Sequence, residues 1–146
     1  MASPRSGSAT WKGDLPSGEG NLTVGDSVFE GAYTFKSRFE EGEGTNPEEL
    51  IAAAHAACYA MAFSNILATN GHTPEQVDTH ARVSLQEVDG APTIARITLK
   101  VDGNVPGIDE STYQDLAEQA KKDCPVSRAL ASVPEINLDA TLKTDL

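Results

Sequence analysis

The stretch from Asn46 to Asn70 constrains this chain more than any other, because nearly all of it must form one helix. Asn46 is a good N-cap, Pro47 suits the first helical position, where an N–H would find no partner, and Glu49 is placed to reach back to the cap's amide. The apolar pattern runs to Leu67, Asn70-Gly71 offers a left-handed stop, and Pro74 lies just beyond. At ~1.5 Å per residue, residues 47–70 would span roughly 36 Å. Alanine at 52, 53, 54, 56, 57, 60 and 62 lets other backbones approach on almost every side. A helix apolar all round is expected at the buried centre of its fold, and Cys58 sits in the middle of this one.

The rest of the chain reads as shorter pieces. Residues 1–8, rich in Ser, Gly and Pro, are expected to be a flexible tail, leaving residues 9–146 as a single domain. From Ala9 onward come short strands between Gly-rich turns, with Leu22-Thr23-Val24, Val28-Phe29 and Ala32-Tyr33-Thr34-Phe35 as apolar pieces of a meander. Residues 36–45 read as a polar loop into the long helix. Beyond it, Ala81, Val83 and Leu85 alternate with His80, Arg82 and Ser84, and Ala95, Ile97, Leu99 and Val101 alternate with Arg96, Thr98 and Lys100. Asp89-Gly90 between these runs is a hairpin signal, although Pro92 argues for a loop longer than two residues. A second helix through Tyr113, Leu116, Ala117 and Ala120, capped by Asp109 or Ser111, precedes a short helix opened by Pro125. Ile136, Leu138, Ala140 and Leu142 then form a last strand. Two main helices and about six strands, not strictly alternating, make the class α+β.

The net charge of −11 disfavours nucleic acid and anionic membrane as partners. The long helix has the length of a membrane span, but His55, Ser64 and Asn65 interrupt it and acids flank it, so a core helix is the reading. The N-terminal residues lack the apolar core of a secretory signal, so a cytoplasmic location is expected, and two cysteines in a reducing compartment are more often inert or catalytic than structural.

Chemistry, where present, concerns the thiols. Burial alone would make Cys58 an inert small hydrophobe, and reactivity would need a cation near the sulfur. Arg38, bracketed by Phe35 and Phe39 in the loop before the helix, is suited to that role, although a loop arginine is more often simply solvated. Cys124, just before Pro125, would stand at a helix N-cap, where free amides favour thiolate; plain capping is the ordinary alternative. The two suit an attacking and a resolving cysteine if the fold unites them. His55, three residues before Cys58, could form a Cys–His nucleophile, but a packed core histidine is the simpler reading. His55, His72, His80 and the cysteines show no paired metal-ligand spacing.

Several segments together resemble one known family. Arg38-Phe39-Glu40, Gly44-Thr45-Asn46-Pro47-Glu48-Glu49-Leu50, Ala53-Ala54-His55-Ala56-Ala57-Cys58, Val105-Pro106-Gly107-Ile108 and Cys124-Pro125-Val126-Ser127 are similar to the OsmC/Ohr peroxide reductases, on the OsmC branch, over nearly the whole chain from Trp11. The resemblance implies antiparallel sheets around a long central helix in an intertwined homodimer. It also implies a thiol-dependent peroxidase acting on organic hydroperoxides and hydrogen peroxide in stress defence, without metal or flavin, recycled by dithiols such as dihydrolipoamide. It makes Cys58 the peroxidatic and Cys124 the resolving cysteine, Arg38 the arginine that stabilises the thiolate, and Glu48 the glutamate that holds Arg38. Phe39, Tyr59, Met61 and Phe63 would offer room for an alkyl group, or be plain core. A regular helix sets Glu48 and Cys58 about 15 Å apart along its axis and roughly 80° around it, so the partner's antiparallel helix is expected to supply Glu48, with Arg38 open to coming from either protomer. The competing readings are a non-catalytic acidic dimer or small-ligand binder with structural thiols, and a general thiol–disulfide oxidoreductase.

Overall fold

The computed structural model describes residues 2–143; residues 144–146 of the expected domain lie outside the described residues. In chain order the elements are β1 (Gly7–Lys12), β2 (Glu19–Val24), β3 (Phe29–Tyr33), α1 (Phe35–Phe39), α2 (Pro47–Thr69), β4 (Gln76–Val88), β5 (Ala91–Asn104), α3 (Glu110–Asp123), α4 (Pro125–Ala129) and β6 (Glu135–Lys143). The class is α+β, with two three-stranded sheets of order β1-β2-β3 and β4-β5-β6. The chain divides between Leu50 and Ile51 into two compact units.

In the first unit the meander begins earlier than the sequence suggests. Gly7 and Ser8, expected in the tail, pair with Val24 and Thr23, and Ser6 accepts a hydrogen bond from the Gly25 amide at 2.8 Å. Gly20 lies in register between Trp11 and Tyr33, whose rings meet at 5.5 Å, and a Cβ there would collide with both rings. The segment expected as a polar loop contains α1 instead. Thr34 caps it reciprocally with Ser37, each side chain accepting from the other's amide at 3.1 and 2.8 Å. The usual cue for such a box is Glu or Gln at the third position, and Ser37 satisfies the same geometry with a shorter side chain. Asn46 then caps α2, accepting from the Glu49 amide at 2.8 Å while its own amide donates to the Ser37 carbonyl at 2.9 Å. Glu49 does not return to the cap's amide as expected; its carboxylate accepts from the Thr45 hydroxyl at 2.9 Å.

The second unit holds the main core. Tyr59, Phe63 and Leu67 form an i, i+4 stripe along α2, packed with Ile97, Leu99 and Val101 of β5 and Tyr113, Ala117 and Ala120 of α3. Tyr59 donates to the Ala117 carbonyl at 2.9 Å, which satisfies a phenol sealed from water. Gly71, at φ 87°, ends α2 where expected, with the His72 amide bonding back to Leu67 at 2.9 Å. The expected all-round burial of α2 does not hold within the chain. Ala53, Ala54, Ala57 and Met61 are exposed, Met61 at 76%, because sheet and α3 cover only one side. By length and composition α2 is also apolar enough to cross a membrane.

Two further expectations change at the second sheet. Asp89 (φ 52°) and Gly90 (φ 81°) form a two-residue turn closed by Val88 and Ala91, so Pro92 sits inside β5. Pro92 opposes Glu87 as the second pair from the turn, so its missing N–H faces away from β4, on the side where β6 begins only opposite Arg96. The sheet is also not wholly antiparallel: β6 runs parallel to β5, because the chain crosses over through α3 and α4 before returning.

Candidate active site

Each unit contributes one polar pair from the residues singled out in the sequence. In the first, Arg38 near the end of α1 meets Glu48 in the first turn of α2, donating Nε–H and Nη2–H to the two carboxylate oxygens at 3.0 Å each. This fork-on-fork geometry lets a single guanidinium satisfy both oxygens of a carboxylate only 9% exposed. The guanidinium also lies over the Phe39 ring, 5.4 Å from its centroid, and Phe35 packs on Phe39 at 4.9 Å. The arginine is thus held on a helix by an acid and an aromatic face, rather than waving from a loop.

In the second unit α2 presents Cys58, and the junction of α3 and α4 presents Cys124, with their sulfurs 3.1 Å apart and both thiols free. Closing a disulfide needs a shift of only about 1 Å from this separation. Cys124 is fully buried and Cys58 is half-buried. Burial, and after it the neighbouring sulfur of Cys124, push the Cys58 thiol above its usual range against the pull of the Val126 amide. Burial also pushes Cys124 up, but the neighbouring Cys58 thiol and the polar groups of Ser127 and Val126 at the start of α4 outweigh it and leave this thiol lowered. The two thiols are thus pushed in opposite directions, Cys58 up and Cys124 down, so that of the two Cys124 gives up its proton more readily.

The histidine question resolves differently from the Cys–His nucleophile weighed above. His55 is fully buried, and its Nε2 lies 2.7 Å from the Ser127 hydroxyl oxygen. Its Nδ1 is buried with no partner, and burial lowers its pKa, so the ring is neutral. Ser127 carries this link, and sequence reasoning assigned it no role; its place three residues past Cys124 on a helix beginning at Pro125 was the available signal. Of the four apolar residues weighed as alkyl-binding, Tyr59 and Phe63 are core, while Phe39 (38% exposed) and Met61 face outward. Among the described residues no group of three or more His, Cys, Asp or Glu stands close enough to hold a metal ion. An open depression of about 640 Å³ lies elsewhere, on the polar face of the second sheet between His80, Arg82, Lys100 and Asp139, and neither cysteine lines it.

Residues 40–139 match the family model of OsmC-like proteins. The chain is 46% identical over 145 residues to the peroxiredoxin OsmC of Escherichia coli strain K12, covering 99% of this chain and all of that protein. It is 34% identical over 102 residues to an organic hydroperoxide resistance protein of Xanthomonas axonopodis pv. citri, covering 69% of this chain and 67% of the relative. The crystal structure of the organic hydroperoxide resistance protein OhrB of Bacillus subtilis superposes with a TM-score of 0.72 at 26% identity, over 94% of this chain and 98% of that one. The match to the family model and the end-to-end identity place this chain in the OsmC-like protein family.

Proposed function

We propose that this protein is a thiol-dependent peroxidase that reduces organic hydroperoxides to alcohols, and hydrogen peroxide to water, in stress defence. The observation that carries the reading is the pair of free thiols, Cys58 and Cys124, which sit 3.1 Å apart although sixty-six residues separate them in sequence. The Cys58 thiolate attacks a peroxide oxygen, the O–O bond breaks, the alcohol leaves with a proton, and Cys58 becomes a sulfenic acid. Cys124 then attacks that sulfur, water leaves, and a disulfide remains for a dithiol such as dihydrolipoamide to reduce.

Because burial and the second sulfur push Cys58 up, its activation calls for a cation, and Arg38 is the one already oriented for such work by Glu48. Glu48 and Cys58 lie ten residues apart on one uninterrupted helix. The Arg38–Glu48 pair therefore acts on the thiols of a second protomer in a soluble, cytoplasmic, intertwined homodimer. The open side of α2, lined by Ala53, Ala54 and Ala57, supports close approach of another helix.

The test is a thiol count after reduced protein meets one equivalent of cumene hydroperoxide. Loss of two thiols per chain, abolished in Cys58→Ser, is expected. Two unreacted thiols overturn the reading in favour of a non-catalytic protein. Disulfide exchange without peroxide consumption marks a general oxidoreductase.

A further inference from the structure

His55 and Ser127 have no part in the peroxide step, yet both are sequestered beside it. His55 is 0% exposed in the middle of α2 and Ser127 is 6% exposed on α4. They meet at 2.7 Å, and Ser127 is the third residue of the helix whose N-cap is Cys124, the position from which a side chain can reach back to the cap residue. The direction of this chain follows from the orphaned ring nitrogen. A buried imidazole in its neutral form carries one N–H, and leaving a donor unpaired costs more than leaving an acceptor unpaired. Since Nδ1 has no partner, the proton belongs on Nε2, which donates to the Ser127 oxygen. The serine hydroxyl is then free to donate in turn to the Cys124 sulfur. A buried histidine and serine kept only to pair with each other would gain little over an apolar pair of similar volume.

We propose that His55 and Ser127 are positioning residues for the resolving step, a two-bond donor relay that holds the Cys124 sulfur as a thiolate aimed at Cys58. The inference rests on the peroxidase reading and extends it to the second half of the cycle. In that half the Cys124 thiolate attacks the sulfenic sulfur of Cys58. The S–S bond forms, the S–O bond breaks, and the departing hydroxide takes up the proton that Cys124 released and leaves as water. No oxidant beyond the hydroperoxide is needed. The relay donates hydrogen bonds throughout and takes no proton, which suits a histidine whose charged form is disfavoured by burial.

The experiment follows the reduced full-length protein after one equivalent of cumene hydroperoxide, trapping sulfenic acid with dimedone and counting free thiols at successive times. In Ser127→Ala, sulfenic acid is expected on Cys58 and to persist about tenfold longer than in the unsubstituted protein, the loss of one hydrogen bond to a charged sulfur. His55→Leu is expected to behave similarly, whereas His55→Gln, whose side-chain amide can donate from the position of Nε2, is expected to restore closure to within about threefold of the unsubstituted rate. A structural role alone would make Gln no better than Leu. Closure in Ser127→Ala at the unsubstituted rate, or a Gln variant as slow as the Leu variant, overturns the relay. Failure of the unsubstituted protein to form sulfenic acid at all overturns the peroxidase reading instead, so the two failures are distinct. Should His55→Leu not fold, Ser127→Ala, which removes a single oxygen, still decides.

Discussion

The Arg38–Glu48 pair keeps its guanidinium 36% exposed over a carboxylate that is 9% exposed, whereas the Cys58–Cys124 pair keeps one sulfur half-buried and the other sealed. The contrast follows from charge. A carboxylate can leave water only if both its oxygens are bonded, and the forked guanidinium does that while retaining much of its own solvation. Neutral thiols leave water easily, but burial then works against the ionisation that makes a thiol react. The thiol pair therefore has the proximity that a disulfide requires, at 3.1 Å, but not, by itself, the environment that favours ionisation of Cys58. The ion pair has the opposite character: a fixed positive charge with no nucleophile of its own. The proposed peroxidase chemistry calls for both a nucleophile and a fixed positive charge.

The strongest way to break that division is Cys58→Ser, which is expected to abolish hydroperoxide consumption in a coupled assay with dihydrolipoamide; retained turnover would move the chemistry elsewhere. Next, Arg38→Ala and Glu48→Gln are each expected to lower kcat/KM by about tenfold to a hundredfold, the range for losing an oriented charge at a reacting centre. Mixing Cys58→Ser with Glu48→Gln sharpens the point. If the ion pair serves the thiols of the other protomer, exchange of subunits should restore about a quarter of the intact sites. If it serves its own chain, every site carries a defect and activity stays low.

A smaller effect separates the buried half by pH. Burial lowers the pKa of His55 below its ordinary 6.5, so the unfolded chain binds the proton more readily than the folded one. Its contribution to stability is therefore complete above pH 6.5 and declines as pH falls towards the folded value. Melting temperature should drop between pH 7.5 and 5.5, and drop less in His55→Gln; equal drops would mean that His55 does not titrate on unfolding. The smallest effect is expected at the other Arg–Glu pair, Arg96 to Glu135, which makes one contact at 2.6 Å with both side chains about half exposed. Arg96→Ala should leave turnover unaltered and move the melting temperature by less than about 2 °C. A large loss of activity there would dissolve the distinction between an oriented pair and an ordinary surface one.

The helix that organises the chain was legible because its signals are local: cap, first-turn proline, apolar run and glycine stop lie within one window. The strands from Thr79 to Val101 were legible for the same reason, through period-two alternation. The short α1 was not, since Ser37 in place of Glu disguises its capping box. The parallel pairing of β6 was not either, because no residue pattern within a strand encodes which edge it joins. Pro92 misled about the turn because whether a missing N–H matters depends on the neighbouring strand. At the site, cysteine, arginine and glutamate stood out through their chemistry and family-like segments. Ser127 did not, because a serine acquires meaning only from what it touches.

By itself, the sequence determined where the long helix starts and stops, the α+β class, and the chemical types available to the site, since these depend on residues near one another in the chain. Tertiary structure alone decided that Cys58 and Cys124 lie in contact, that Arg38 is gripped by both oxygens of Glu48, and that His55 faces Ser127 instead of a thiol. It also decided that one side of α2 remains uncovered by the chain that made it. Each of those outcomes depends on which surfaces meet after folding, and contacts between distant residues are set by packing and loop closure rather than by local preference.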